Sequence, residues 1–303
     1  MRNSFVWGGD VWGVKKNAKT VIDKSYLTFA RCLLGVKSTT PNLIVHGECG
    51  RTPPSVAIEI STIKFWHRLK RMNDNCLVKQ VYNELAFLDS MGFGTWVTSV
   101  YELLRNLNFD LDINLEHNFD SYCKQHIRNN FINNWSEAIR DVSHHPKLRT
   151  YSRFKTSFNQ EPYLDSVKEL KYRNAIAKIR TSSHTLAIEK GRFTHPKTPV
   201  NQRLCMYCDS IEDEEHFLIN CQLNQPDRAI MFNNIQSVYP CLMKNQSEKY
   251  IFLMKTDNTQ VLKWLGRFIH NSFLQRSELM GVPQYTEYFI FGEFMTLNHV
   301  TIA

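Results

Sequence analysis

Apolar side chains recur along this chain at steps of three and four, the repeat that lines one face of a helix. Ile22, Tyr26, Phe29 and Leu33 form one such stripe, and Gly35 is placed to end it. Val56, Ile60, Ile63 and Trp66 form a second after Pro53 and Pro54, with Phe65, Leu69 and Met72 widening it. Leu77, Val81, Leu85 and Leu88 make a third stripe and Val97, Tyr101 and Leu104 a fourth, with the turn from Met91 to Gly94 between them. The longest runs through Cys123, Ile127, Phe131, Trp135, Ile139 and Val142. Val261, Leu265 and Phe268, joined by Leu262, Ile269 and Phe273, mark a helix near the end. Each stripe is expected to face a core. Phe5 to Val14, with Gly8 and Gly9, reads instead as a short strand or hairpin.

Pro162 to Arg180 has a helical composition but an awkward one. Lys168, Lys171 and Lys178 fall on one arc, Arg173 and Arg180 nearly opposite, and only Leu164, Ala175 and Ile179 remain as a narrow apolar strip. Such a helix suits a place between a protein core and a polyanion. Pro146, Gly191, Pro196 and Pro199 suggest linkers bounding this region. At 303 residues the chain is long enough for two or three units. With 43% hydrophobic and 22% charged residues it is globular rather than disordered.

One motif carries chemistry. Cys205, Cys208, His216 and Cys221 lie in RLCMYCDSIEDEEHFLINC with the spacing Cys-x2-Cys-x7-His-x4-Cys. Three thiolates and an imidazole complete a tetrahedral shell and leave no position for substrate, so a zinc ion held there is structural. Asp213 to Asn220 reads as a short helix whose early acids suit the helix dipole. The plain alternative is buried free cysteines beside a surface histidine. Cys32, Cys49, Cys76, Cys123 and Cys241 are scattered singly, which gives no disulfide ladder.

Charge adds a location. The chain carries +8 overall, yet residues 145 to 205 hold thirteen Lys and Arg against four acids, a net of +9. Residues 1 to 144 carry +3 and residues 206 to 303 carry −4. Tyr151, Phe154, Phe158, Tyr163, Tyr172 and Phe193 are interleaved with the cations, a mixture that neutralises phosphates and offers stacking faces to bases. A solvated helix face is the bland alternative. The expected fold is mainly α: a bundle-like helical part over 1–144, a basic helical segment over 145–204, a small zinc knuckle over 205–221 and a C-terminal helical region over 222–303. The N-terminus, with Asp10 inside its apolar stretch, lacks the pattern of a signal peptide. No run of about 20 apolar residues marks a membrane span. An intracellular location, nuclear or cytoplasmic, is expected, which makes the sequons at Asn134 and Asn245 incidental.

The segments GGDVWGVKKN, FARCLLGVKSTTPNLIVHGECGRTPPS, FKTSFNQEPYL, IAKIRTSSHTLAIEKGRF and RLCMYCDSIEDEEHFLINC, in that order, resemble the C-terminal region of LINE-type non-LTR retrotransposon reverse transcriptases over roughly residues 7 to 275. In that family this region follows the polymerase palm and thumb, is largely helical and ends in a Cys-Cys-His-Cys knuckle implicated in binding RNA or DNA. The resemblance implies that Cys205, Cys208, His216 and Cys221 are the knuckle ligands. It also implies that Lys168, Lys171, Arg173, Lys178, Arg180, Lys190, Arg192, Lys197 and Arg203 contact nucleic acid.

The catalytic part of such an enzyme is not expected here. Polymerase chemistry uses carboxylates that hold two metal ions, which the family supplies from adjacent aspartates, and no Asp-Asp pair occurs in this sequence. Pro226-Asp227 follows the knuckle as in relatives that carry a nuclease, but Glu248-Lys249 lacks the intervening residue of that motif. A Gly-rich phosphate loop is also missing. Two readings follow: a non-catalytic nucleic-acid-binding accessory region of a truncated element, or a zinc-stapled scaffold that packs on a polymerase domain. The scaffold reading expects a broad exposed apolar patch on the helices of 1–144.

Overall fold

The computed structural model describes residues 7–13, 15–109, 118–143, 146–240 and 245–281. Among them the chain is mainly helical and forms no strand; Leu204 and Ile211 make one isolated antiparallel bridge. Two compact units result. One comprises Met1–Phe29, Val45–Asp141 and Ser157–Asn159, the other Ala30–Ile44, Val142–Thr156 and Gln160–Ala303. The expected segments 145–204, 205–221 and 222–303 thus fall in the second unit, apart from residues 157–159.

The first unit is organised around α4. Its helices are α1 (Gly9–Trp12), most of α2 (Lys16–Leu34), most of α3 (Asn42–Cys49), α4 (Pro54–Lys70), α5 (Leu77–Ser90), α6 (Trp96–Asn106) and α7 (Phe119–Ala138). Val56, Ile58, Thr62, Ile63, Trp66 and Leu69 are all buried on α4, so this helix is covered on more than one side, by α1, α5, α6 and α7. Val97 and Leu104 of α6 and Cys123 and Ile127 of α7 complete the core as their spacing predicts, with Val100 added and Tyr101 only partly buried. Burial raises the Cys123 thiol to about 12, which makes it an inert core residue. Thr95 and Thr98 start α6 with a reciprocal capping box.

Three expectations change in this unit. The stretch expected as strand or hairpin is a helical turn, α1, over its described residues; Phe5, Val6 and Val14 lie outside them. Gly9 and Gly13 let that turn lie against Ile58, where a methyl group on Gly13 would overlap the isoleucine side chain. On α2 the buried positions are Leu27, Ala30 and Leu34, one step beyond the expected face, and Phe29 and Leu33 are exposed. On α5 three of the four expected stripe residues face solvent, Leu77 (74% exposed), Val81 (52%) and Leu88 (38%), while Leu85 packs partly against the core. The inward face is made instead by Tyr82 and Lys79, whose Nζ donates to the Lys70 carbonyl (3.2 Å) and lies over the Tyr82 ring. Lys79 buries its aliphatic stem while satisfying its charge locally, which a count of apolar letters does not register.

The second unit is built on its last helix. It contains α8 (Leu148–Phe154), α9 (Tyr163–Ser166), α10 (Leu170–Arg180), α11 (Ala187–Lys190), α12 (Gln225–Val238), α13 (Gln246–Lys255) and α14 (Thr259–Leu279). Val261, Leu262, Leu265, Phe268 and Ile269 of α14 are buried as expected, against α9, α10, α12 and α13. Ala175, Ile176 and Ile179 form the inner face of α10, and Gly266 allows the close approach of Tyr172.

Candidate metal centre

Leu204 and Ile211 bridge across a tight turn whose base is held by Cys205 N–H donating to the Ser210 carbonyl (2.7 Å). Within it Asp209 takes a left-handed conformation (φ 49°), and the backbone N–H of Cys208 donates to the Cys205 carbonyl (3.4 Å). Both sulfurs therefore leave the turn on one side. His216 opens a π-wound turn, His216–Asn220, and its N–H donates to the Asp213 carboxylate at 2.8 Å. The N–H of Cys221 closes the turn on the His216 carbonyl at 2.8 Å. A π bond spans five residues, so the x4 spacing brings Cys221 back beside His216 where an α turn would carry it past.

The four ligand atoms lie within 4.8 Å of one another. Cys221 Sγ is 3.9 Å from both Cys205 Sγ and Cys208 Sγ. A metal–sulfur bond of about 2.3 Å in tetrahedral geometry separates sulfurs by about 3.8 Å, so the spacing suits a common ion. A second observation agrees: Nε2 of His216 is buried and has no hydrogen-bond partner. Burial raises the Cys205 thiol and, with the adjoining Cys205 charge, pushes Cys221 to about 12. It lowers the His216 imidazole. Crowded thiolates repel one another until a divalent cation offsets their charge. The Gln222 N–H points at Cys208 Sγ (3.3 Å), and Arg228 donates to the Cys221 carbonyl (2.8 Å), supplying positive charge near the Cys221 and Cys208 sulfurs. These residues fit a closed site for a structural metal ion.

Asp213 caps the start of the turn through the His216 N–H, and the other acids serve another purpose. Glu214 is fully buried and accepts from Ser182 Oγ (2.7 Å), from His184 Nε2 (2.9 Å) and from Arg149. Leu186 N–H donates to His184 Nδ1 (3.3 Å), which leaves the proton on Nε2 for the glutamate. Glu212 takes both Arg276 Nε (2.9 Å) and Nη2 (2.7 Å) from α14, and Glu215 takes Arg153 (2.7 Å). The run of acids thus fastens the metal turn to the basic segment and to the last helix. Phe217 adds a stacked contact to Phe273, with ring centroids 4.6 Å apart.

This network corrects part of the basic surface expected from sequence. Arg180 is buried, paired with Glu161 (2.6 Å), bonded to the Met254 carbonyl and stacked over Phe154 and Tyr163. Arg203 is buried too and donates to the carbonyls of Thr198 (2.9 Å) and Ile188 (2.8 Å). Both guanidinium groups are turned inward and engaged by protein partners. Arg192 is half-buried and pairs with Glu189 (3.1 Å). Lys168, Lys171, Lys190 and Lys197 are exposed and Arg173 half-buried, and none of these five pairs with a described acid.

Lys171 and Lys178 lie close enough to His270 of α14 to lower its pKa, after burial, and Tyr172 packs edge-on against that imidazole (5.6 Å). Lys263 and Arg267 share His270's side of α14 at steps of four and three. Sequence reading missed them because residues 206 to 303 carry a net negative charge. Their spacing was the available signal.

Among the described residues no helix is long and apolar enough to cross a membrane. The described cysteines are free thiols. Protein-family models, curated proteins and solved structures contain no match to this chain.

Proposed function

We propose that this chain is a non-catalytic nucleic-acid-binding accessory region of the kind that follows the polymerase in LINE-type reverse transcriptases. Zinc is the ion for Cys205, Cys208, His216 and Cys221, because a closed set of three soft thiolates and one imidazole selects it over harder divalent cations. Single-stranded RNA or DNA is the ligand of the basic surface, and a reducing intracellular compartment, nuclear or cytoplasmic, suits the free thiols.

One observation carries the reading. Lys171 lies over the Tyr172 ring (5.0 Å), whose edge meets His270 (5.6 Å), and no described acid pairs with Lys171. A phosphate backbone supplies the missing counter-charge, and the exposed Phe193 ring offers a stacking face to an unpaired base. The test is fluorescence anisotropy with a labelled single-stranded RNA of about 20 nucleotides between about 50 and 300 mM KCl. Affinity is expected to fall steeply with salt. Changing Lys168, Lys171 and Lys178 together to Ala should reduce the log–log slope by about 2, because each phosphate that a lysine neutralises on a single strand contributes about 0.7. A flat salt response, or an unchanged slope in the triple variant, overturns the proposal. The alternative, a zinc-stapled scaffold that packs on a polymerase domain, draws on a different observation: the apolar face that α5 turns to solvent.

A further inference from the structure

The geometry points to the outward face of α5 as the seat for an amphipathic helix of another protein, one carrying a single Lys or Arg among aliphatic side chains. Leu77, Val81, Glu84, Leu88 and Met91 follow one another at steps of four, three, four and three, the spacing of a coiled-coil seam. All five are exposed, on the side of the helix opposite Tyr82 and Lys79, which face the core. Val78 and Phe87 flank the seam and Phe93 extends it, all exposed, so the patch is broad and continuous. From residue 77 to residue 91 the rise is about 21 Å, the length of about four helical turns.

Glu84 decides the occupant. It stands at the middle of the seam, two seam positions from either end, and α5 has no cation except the inward Lys79. A second copy of this chain is a poor fit, because parallel in-register pairing and antiparallel pairing centred on the seam both set Glu84 against Glu84. Closing an apolar interface over two unpaired carboxylates is strongly unfavourable. Residues 282–303 are apolar enough to cover the face, but they contain Glu287 and Glu293 and neither Lys nor Arg. A separate helix with one guanidinium or ammonium opposite Glu84 covers the leucines and pairs the charge. Such a partner reads the seam's length and its one acid together. This inference is independent of nucleic-acid binding.

The test uses the full chain and two labelled helical peptides of about 18 residues, long enough to span the seam, with leucine at the seam positions and either Arg or Glu at the central one. The wild type is expected to bind the Arg peptide at least tenfold more tightly than the Glu peptide. Glu84→Arg should reverse that order, and Leu88→Asp should weaken both at least tenfold without moving the thermal midpoint, since the side chain is outside the core. Binding of neither peptide, or the same order for wild type and Glu84→Arg, overturns the proposal. So does a concentration-dependent dimer in sedimentation that Leu88→Asp abolishes, which assigns the face to a second copy, or vesicle binding that outcompetes the Arg peptide, which assigns it to lipid.

Discussion

A buried network of charges in the second unit and an exposed apolar helix face in the first make the sharpest contrast in the molecule, although Glu48 and Lys79 are buried in the first unit and Phe193, Met206 and Ile230 are exposed in the second. In the second, charged side chains are taken inside: Glu161, Arg180, Glu189, Arg203, Glu212, Glu214, Arg228 and Arg276 are all buried, and each has a protein partner. In the first, large apolar side chains are left outside: Leu77, Val81, Phe87, Leu88, Met91 and Phe93 are exposed along one helix and the turn after it. A buried ion network stands or falls as a set, because removing one partner strands another charge away from water. An exposed apolar face adds little to the folding of its own chain. The contrast separates residues that hold the fold together from residues that it leaves uncovered, and substitutions in each should differ accordingly.

The largest effect should come from the metal turn. Cys208→Ser is expected to lose one equivalent of zinc, and with it the about 10 kcal/mol or more of binding free energy that couples such sites to local folding. Hydrogen exchange should show residues about 200–225 unprotected while α4, α6 and α7 keep their protection. A variant that retains its full metal content would break the site assignment. Next in size is Glu214→Ala, which strands Arg149, Ser182 and His184. The expected cost is about 3–5 kcal/mol in urea unfolding, and a loss below about 1 kcal/mol would show that the network is not a unit.

Acid should reveal the same group. Burial alone would raise the Glu214 carboxyl, but the hydrogen bond and charge of His184, the charge of Arg149 and the Ser182 hydroxyl hold it at about 2, against an ordinary 4.5. A folded value below the unfolded one gives stability that is complete above about pH 4.5 and is lost as pH falls towards 2. The stability gap between wild type and Glu214→Gln should therefore narrow across that window. A gap that stays constant from about pH 6 to about pH 2.5 would contradict it. The smallest effect belongs to the first unit. Leu88→Lys should change stability by no more than about 0.5 kcal/mol, where Leu104→Ala in the core of the same unit should cost about 2–5 kcal/mol. Comparable losses from the two would mean that the α5 face is covered.

What the sequence made legible follows the same division. Stripes on α4, α6, α7 and α14 read correctly because their buried sides are almost wholly apolar. Periodicity locates a face without telling whether core or solvent lies beyond it, and α5 shows the consequence, since Lys79 and Tyr82 pack inward with Leu85 while Leu77, Val81 and Leu88 face out. The cysteine and histidine spacing was legible because ligands of one ion must be close, and local chain geometry nearly suffices. Arg180 was misread because its partner Glu161 and its aromatic lid at Phe154 and Tyr163 come from other turns of chain. Glu212 and Glu214 were visible as an acidic run, but Arg276 lies 64 residues from Glu212 and nothing local announces that pairing.

The π-wound turn from His216 to Asn220 has a bearing on how this segment tolerates change in length. Between Cys208 and His216 only Asp209, Ser210 and Ile211 face solvent, so an added residue can bulge outward there but not among the buried acids that follow. Between His216 and Cys221 every residue belongs to one closed winding. Deleting one of the four intervening residues would rotate Cys221 by about 100° around the helix axis, carrying its sulfur out of the shell. Natural variation in length should therefore collect at Asp209 to Ile211 and be purged after the histidine.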